Sequence, residues 1–386
     1  MNNVEENHHH SIDWTDFVAS KLDTTIDGEY RLLEELGHGS YGCLFLGQNI
    51  HTSDYVAVKV LSKIGLDENQ LALQRSEIDI QSSLSHPNVI SLHRSIEDAS
   101  HIYIIMELCD QGDLFDHVVR DSEINPVRDA SFIRKAFSEI LDAVQYLHDN
   151  HVYHRDIKLE NILLKLNDTA EEELVIKVAD FGLATRDRMS MEFGCGSTTY
   201  LAPEHFLEDD QSDQDLEQPY DAAASDIWGL GVMFLALVFG RNPWQEASSY
   251  DQVFAEYMRN PAILKQLFPI SDDAYEFAKL ALTIDPKRRP DIAKLRQEFA
   301  KITRFSTLNT ETPVLVSTPA MTIPRKQDCN VNSYDSGICV SGSWSDLADE
   351  PDTCDYDVNP FANDAMKYGD EDDTTMFAHS EETWWL

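Results

Sequence analysis

The chain has 386 residues, of which 42% are hydrophobic, and a formal net charge of −39. That is enough apolar material for one large domain of two lobes with appendages, or for two ordinary domains. The charge argues against nucleic acid or an anionic membrane surface as the main partner, since both are polyanions, and favours basic partners. Cys43, Cys109, Cys195, Cys329, Cys339 and Cys354 stand apart, with neither metal-ligand spacing nor the density of a disulfide scaffold. Together with the lack of an apolar leader at the start of the sequence, this makes a reducing, cytoplasmic or nuclear location the expectation. The longest apolar stretch, Leu230 to Phe239, is about half of what a bilayer span needs.

In residues 1–29, Trp14, Phe17, Val18 and Leu22 follow Ser11 at helical spacing and predict a short amphipathic helix docked on the domain that follows. From Tyr30 the pattern changes to short apolar runs separated by glycines and polar turns. These are Tyr30 to Glu35, Gly42 to Gln48, Tyr55 to Leu61, Ile90 to His93 and His101 to Met106, and they predict a small antiparallel sheet. One helix, Glu68 to Leu84, interrupts it and is stopped by His86-Pro87-Asn88. After Asp113 the chain turns helical, most clearly over Arg128 to His148. There Phe132, Ile133, Ala136, Phe137, Ile140, Leu141, Val144 and Leu147 recur with the helical period and predict a buried central helix. Further helices are predicted over Asp226 to Phe239, Tyr250 to Met258, Asp272 to Leu282 and Asp291 to Lys301. Strands followed by helices give an α+β fold of two lobes over residues 30–302. Asn167 to Glu173 and Glu208 to Gln218 read as acidic, solvated surface loops, and residues 303–386 as an acidic, largely disordered tail ending in Trp384-Trp385-Leu386.

Chemistry concentrates in His154-Arg155-Asp156-Ile157-Lys158-Leu159-Glu160-Asn161, followed by Asp180-Phe181-Gly182. Asp156 can orient a hydroxyl nucleophile and take its proton, and Lys158 can neutralise charge on a transferring phosphate. Asn161 and Asp180 offer the hard oxygens that magnesium prefers beside substrate phosphates. Upstream, Gly37-His38-Gly39-Ser40-Tyr41-Gly42 lies between two predicted strands. A dinucleotide site would need a helix after it, so the strand-turn-strand setting suggests a flap whose backbone approaches phosphates. Lys59 in Ala57-Val58-Lys59 would be a costly buried charge unless it met phosphates and a carboxylate, and Glu77 on the following helix is that carboxylate.

Carrying all of these motifs in order, Tyr30 to Ile302 resembles a eukaryotic protein kinase domain. Ala202-Pro203-Glu204 resembles the close of the activation segment, Asp226-Ile227-Trp228-Gly229-Leu230-Gly231 the anchoring helix of the large lobe, and Arg289 the partner of Glu204. Lys158 two residues after Asp156 is similar to the serine/threonine class, in which Ser197 would contact Asp156 and Lys158. Phe193 to Tyr200 and the acidic loop before Asp180 look like fungal kinases that restrain meiosis and respond to nutrients. The resemblance implies transfer of the γ-phosphate of ATP, with Mg2+, to serine or threonine of protein substrates by a monomer in nutrient, cell-cycle or differentiation signalling. A pseudokinase scaffold and a small-molecule kinase of related fold are the alternatives.

The resemblance also implies an adenine slot. It would have Leu36 and Leu44 above the base, Ala57 and Leu163 around it, Met106 as gatekeeper, hinge backbone groups at Glu107 and Cys109, and Asp113 near the ribose. Glu160 and Asp113 match positions that face an arginine three residues before the target hydroxyl in basic-directed relatives. Gln81 falls where an apolar residue usually stacks behind Phe181, so its amide needs a partner. Phe193 replaces the usual phosphothreonine; its ring is expected to pack on the large lobe, cushioned by Arg155.

Overall fold

The computed structural model describes residues 14–39, 42–124, 128–167, 173–206 and 218–308. Helix α1 (Trp14–Lys21) leads into β1 (Thr25–Ile26), and then β2 (Tyr30–Gly39), β3 (Gly42–Asn49) and β4 (Tyr55–Ser62) follow as antiparallel neighbours. After α2 (Glu68–Ser82) come β5 (Leu92–Glu97) and β6 (His101–Glu107), which complete a six-stranded sheet of order β1-β2-β3-β4-β6-β5. Strand alternation sorts the side chains into two layers. Leu32, Phe45, Val58, Val60 and Ile105 face outward and are covered by Val18 of α1, with Phe17 and Leu22 beside it. Leu36, Leu44, Ala57, Leu61, Ile104 and Met106 face the other way, into the main core. Lys59 lies between Ala57 and Leu61 in register with Ile104, so the same alternation aims it inward.

The fifth strand departs from the expected Ile90 to His93. Ile90 is buried, but its N–H donates to the carbonyl of Val178 at 2.9 Å, so this stretch belongs to the connection between lobes and the strand begins at Leu92. An apolar residue buried at the connection between lobes has the same apolar signature as one in a strand. Helix α2 starts with a capping box in which Asp67 accepts from the Gln70 N–H and the Gln70 side chain from that of Asp67.

The large lobe is built on α3 (Leu114–Ile124), α4 (Ala130–Asp149), the hairpin β7 (Ile162–Leu166) and β8 (Leu174–Val178), the short pair β9 (Met189–Ser190) and β10 (Tyr220–Asp221), and then α5 (Ala222–Phe239). Helices α6 (Gln252–Arg259), α7 (Leu264–Leu267), α8 (Asp272–Ala281) and α9 (Ile292–Phe299) follow. Helix α5 is apolar on all sides because it is wrapped on all sides: it is long and apolar enough to cross a membrane, yet 94% of it is buried in the fold. Phe137 of α4, Phe234 of α5, Phe277 of α8 and Phe299 of α9 meet at ring separations of 4.7–6.2 Å. Phe305 joins them, with the Arg134 guanidinium over its ring, so the packed core runs past the expected end at Ile302. One aromatic residue six positions beyond α9 was too isolated to register as periodic.

The β7–β8 hairpin spans the first acidic insertion and is closed by a bond from the Asn167 N–H to the Glu173 carbonyl (2.8 Å). The centre of that insertion, most of Glu208 to Gln218 and the tail beyond Leu308, with its terminal Trp-Trp-Leu, lie outside the described residues.

Candidate active site

A buried carboxylate of α5 anchors the catalytic loop. Asp226 accepts from the backbone N–H of His154 (2.9 Å) and of Arg155 (2.8 Å) and from His148 Nε2 (2.9 Å). Three donors offset the cost of burying that charge. They also hold Arg155 in the left-handed region at φ 66°, the turn that presents Asp156. His154 donates to the carbonyl of Ala179 (3.0 Å), and its ring lies 5.2 Å from that of Phe181, tying the loop to Asp180-Phe181-Gly182.

Asp156 is the hub of the next shell of contacts. Its Oδ2 accepts from Asn161 Nδ2 (2.8 Å) and lies 3.1 Å from Lys158 Nζ, while Oδ1 accepts from both the N–H and the hydroxyl of Ser197 at 3.0 Å. Lys158 also donates to Ser197 Oγ at 2.7 Å. Burial pushes the Asp156 carboxyl up, but Lys158 and the Asn161 hydrogen bond outweigh it and hold the carboxyl below its ordinary value. The Asn161 carbonyl accepts from Ala179 N–H (2.9 Å), which sets that amide beside Asp180.

From the small lobe, Lys59 Nζ reaches Glu77 Oε1 at 2.6 Å and Asp180 Oδ1 at 3.9 Å. Burial would lower the Lys59 ammonium, yet Glu77 and Asp180 raise it above its ordinary value, so it is a cation. Phe181 is fully buried behind this pair. The partner that Gln81 needs is Met106: the Gln81 Nε2 donates to its Sδ at 3.4 Å.

Leu36, Leu44, Ala57 and Met106 line the core between the lobes with Leu163 against them, and Asp113 bridges to Leu163 in antiparallel fashion. Gly37 pairs with Leu44 and Gly39 with Gly42 in the β2–β3 hairpin, whose tip, Ser40-Tyr41, lies outside the described residues. At Gly42 a Cβ would sit 2.4 Å from the Val60 carbonyl, so only glycine fits there. The Cys109 backbone makes no hydrogen bond among the described residues. Glu107 is fastened by its side chain, which accepts from Lys177 (2.9 Å) and from the Ser91 N–H (2.7 Å). Asp113 caps α3 by accepting from the Asp116 N–H at 2.8 Å. Burial, Asp116 and Glu160 push its carboxyl up to about 6. Burial also raises the Glu160 carboxyl, whose buried Oε2 has no partner among the described residues.

The activation segment differs from expectation at Phe193. Its ring does pack on the large lobe, 5.3 Å from Tyr220 and 6.3 Å from His205, but the cation–π contacts among the described residues do not include one with Arg155. The guanidinium of Arg155 instead pairs with Glu192 Oε2 at 2.5 Å. Nothing near Glu192 in the sequence marks it as the ligand of Arg155, and Glu107, expected to offer backbone groups, also contributes its side chain by bonding Lys177. Further on, Arg289 clasps Glu204 with two bonds of 2.6 Å and stacks on Trp228 at 4.9 Å.

A two-lobed fold with these groups at the junction defines a class, and residues 30–299 match the protein kinase domain model. The chain belongs to the protein kinase family. It is 35% identical over 287 residues to serine/threonine-protein kinase ksp1 of Schizosaccharomyces pombe, covering 72% of this chain and 58% of that protein. To the same organism's negative regulator of sexual conjugation and meiosis it is 32% identical over 301 residues, 73% of this chain and 63% of the relative. The human SNF-related serine/threonine-protein kinase is 32% identical over 278 residues, 71% of this chain and 33% of that protein. The chain thus spans less than two thirds of the length of these relatives.

Proposed function

We propose that the protein is a serine/threonine protein kinase that transfers the γ-phosphoryl group of ATP, with Mg2+, to hydroxyls of protein substrates. The observation that carries this reading is that Asp156, Lys158, Asn161 and Ser197 are mutually bonded, while Lys59 meets both Glu77 and Asp180. A scaffold that bound no nucleotide would have no need to bury two lysines with matched carboxylates. In this reading Asp156, fixed on both oxygens and ionised, orients the substrate hydroxyl and accepts its proton. Lys158 and Ser197 hold that carboxylate in place, and Lys158 offsets charge on the transferring group.

The donors suit the nucleotide and metal. Asn161 spends its amide N–H on Asp156, which leaves its side-chain oxygen, with the Asp180 carboxylate, as a hard oxygen pair of the kind magnesium takes. Bound Mg-ATP supplies the phosphoryl group and neutralises its developing charge. Lys59, held by Glu77, positions the phosphates; Leu36, Leu44, Ala57, Met106 and Leu163 enclose the base, and the free Cys109 backbone offers it hydrogen bonds.

Substrates with arginine before the target hydroxyl fit best. The Glu160 carboxylate, with its unpartnered oxygen, lies close enough to help raise the Asp113 carboxyl, and a guanidinium would relieve both. The acidic surface adds attraction for basic segments. The likeness to a negative regulator of sexual conjugation and meiosis supports a role in nutrient, cell-cycle or differentiation signalling, the scattered cysteines support a cytoplasmic or nuclear location, and we propose that the protein acts as a monomer. Radiolabelled ATP with a positional peptide library tests the activity, the hydroxyl type and the flanking preference together. Indifference to arginine would sink the substrate reading, and transfer as fast with Asp156→Asn as with wild type would sink the kinase reading.

A further inference from the structure

We infer that Glu192 is a positioning residue for phosphoryl transfer, an encoded carboxylate that holds Arg155 and thereby keeps the activation segment seated on Asp156 without phosphorylation. The inference rests on the kinase reading above and adds to it the means by which the segment is ordered.

The side chain of Arg155 is 7% exposed, and a cation so buried needs an anion. Its Nε donates to the Leu183 carbonyl (2.5 Å) and its Nη1 to Ser190 Oγ (3.2 Å) and Glu192 Oε2 (2.5 Å). Glu192 is the carboxylate among these partners. One guanidinium therefore joins the catalytic loop to both the beginning and the middle of the segment. Both flanks of Glu192 are fastened independently of it. Ser190 pairs with Tyr220 across β9 and β10, Phe193 packs on Tyr220, and the Gly194 N–H donates to His205 Nδ1 (3.3 Å), whose Nε2 faces Ser225 Oγ at 2.9 Å. The carboxylate is thus delivered to Arg155 at little further cost in chain entropy.

The seat of the segment on the catalytic loop is tight. Gly196 stands at φ 120°, where a Cβ would lie 2.7 Å from the Arg155 carbonyl, and the next residue, Ser197, gives Asp156 two hydrogen bonds. A segment released from Arg155 would withdraw both bonds from Asp156. Nor does Ser190 offer a ready site for a phosphate, since it is buried and its hydroxyl oxygen accepts from both Arg155 and the Glu192 N–H.

The test uses the full chain made in bacteria, treated with phosphatase and confirmed phosphate-free by mass spectrometry. Wild type, Glu192→Gln, Glu192→Asp, Arg155→Gln and the Glu192→Gln/Arg155→Gln double variant are compared by kcat, by KM for peptide and for ATP, and by Tm. Phosphate-free wild type should be active and Asp156→Asn inactive, which secures the kinase reading separately. Glu192→Gln should lower kcat/KM for peptide about tenfold, the scale of one lost charge-assisted contact. Its KM for ATP and its Tm should stay near wild type, Glu192→Asp should regain most of the rate, and the double variant should be no worse than Arg155→Gln alone. Wild-type rates in Glu192→Gln, a full further loss in the double variant, or inactivation of wild type by phosphatase would each overturn the inference.

Discussion

The two halves of the site are fastened by different means. Asp156, Lys158 and Asn161 sit on a loop pinned to Asp226 of α5, a helix buried along almost its whole length. Lys59 and Glu77 meet between a strand and α2, and of the four buried residues of α2, Gln74, Glu77, Ile80 and Gln81, one is apolar. Apolar burial fixes the first half to the core, while the second is held mainly by directional polar contacts. The loop should therefore keep its shape through most perturbations, whereas the seat of α2 should yield when one polar contact is lost.

The sharpest form of that comparison is a pair of near-isosteric substitutions. Asp156→Asn keeps shape and most of the hydrogen bonds of the loop but removes the proposed proton acceptor, so kcat should fall by about a thousandfold with Tm nearly unchanged. Glu77→Gln removes the charge that holds Lys59 and leaves Asp180 as its carboxylate neighbour. Turnover should fall by roughly ten- to a hundredfold, and hydrogen exchange in α2 should rise while that of the catalytic loop stays as in wild type. Equal exchange in both elements would mean the two halves are fastened alike.

The same contrast explains what the sequence disclosed. Motifs whose residues act within a few positions of one another, from His154 to Asn161 and at Asp180, could be read because the chemistry fixes the residue types. The β2–β3–β4 alternation was plain because each strand has one face on α1 and the other on the core. The β7–β8 hairpin was not seen, since its strands have five residues each and flank an acidic insertion that dominated the reading of that stretch. Glu192 was missed because its partner, Arg155, is 37 positions away and nothing local marks an acid as a guanidinium ligand. For the same reason the bond from Gln81 to Met106 was foreseen only as a need, without the atom that meets it.

Asp113 stands at the junction of the halves, and under the arginine preference proposed above its titration separates substrate choice from chemistry. Its carboxyl is raised from an ordinary 3.8 to about 6, so between those values the folded chain holds a proton that the unfolded chain has released. Its contribution to stability is therefore lost as pH rises through that window. Arginine preference should move the opposite way. As Asp113 ionises between pH 5 and 7, the ratio of kcat/KM for an arginine peptide over its alanine counterpart should rise by up to about tenfold, following the ionised fraction. Titration of Asp156 acts equally on both peptides and cancels in the ratio. Asp113→Asn retains an oxygen to cap α3 and should flatten the profile; a slope unchanged in that variant would assign the pH dependence to another group.

The smallest expected effect bears most directly on α2. Gln81 places a buried amide beside Met106, and a sulfur acceptor returns less than the water that the amide gave up. Leucine fills a similar volume with no donor to satisfy, so Gln81→Leu should stabilise the protein by about 1 kcal/mol and raise Tm accordingly. Turnover should change by less than about threefold, because the pair of Lys59 and Glu77 one turn away is left intact. If polar contacts are what leave α2 loosely seated, the same substitution placed on Glu77→Gln should recover part of the lost turnover and lower the exchange of α2 amides. A double variant no better than Glu77→Gln alone would mean that the loss came from the charge on Lys59 and that the seat of α2 was never at issue.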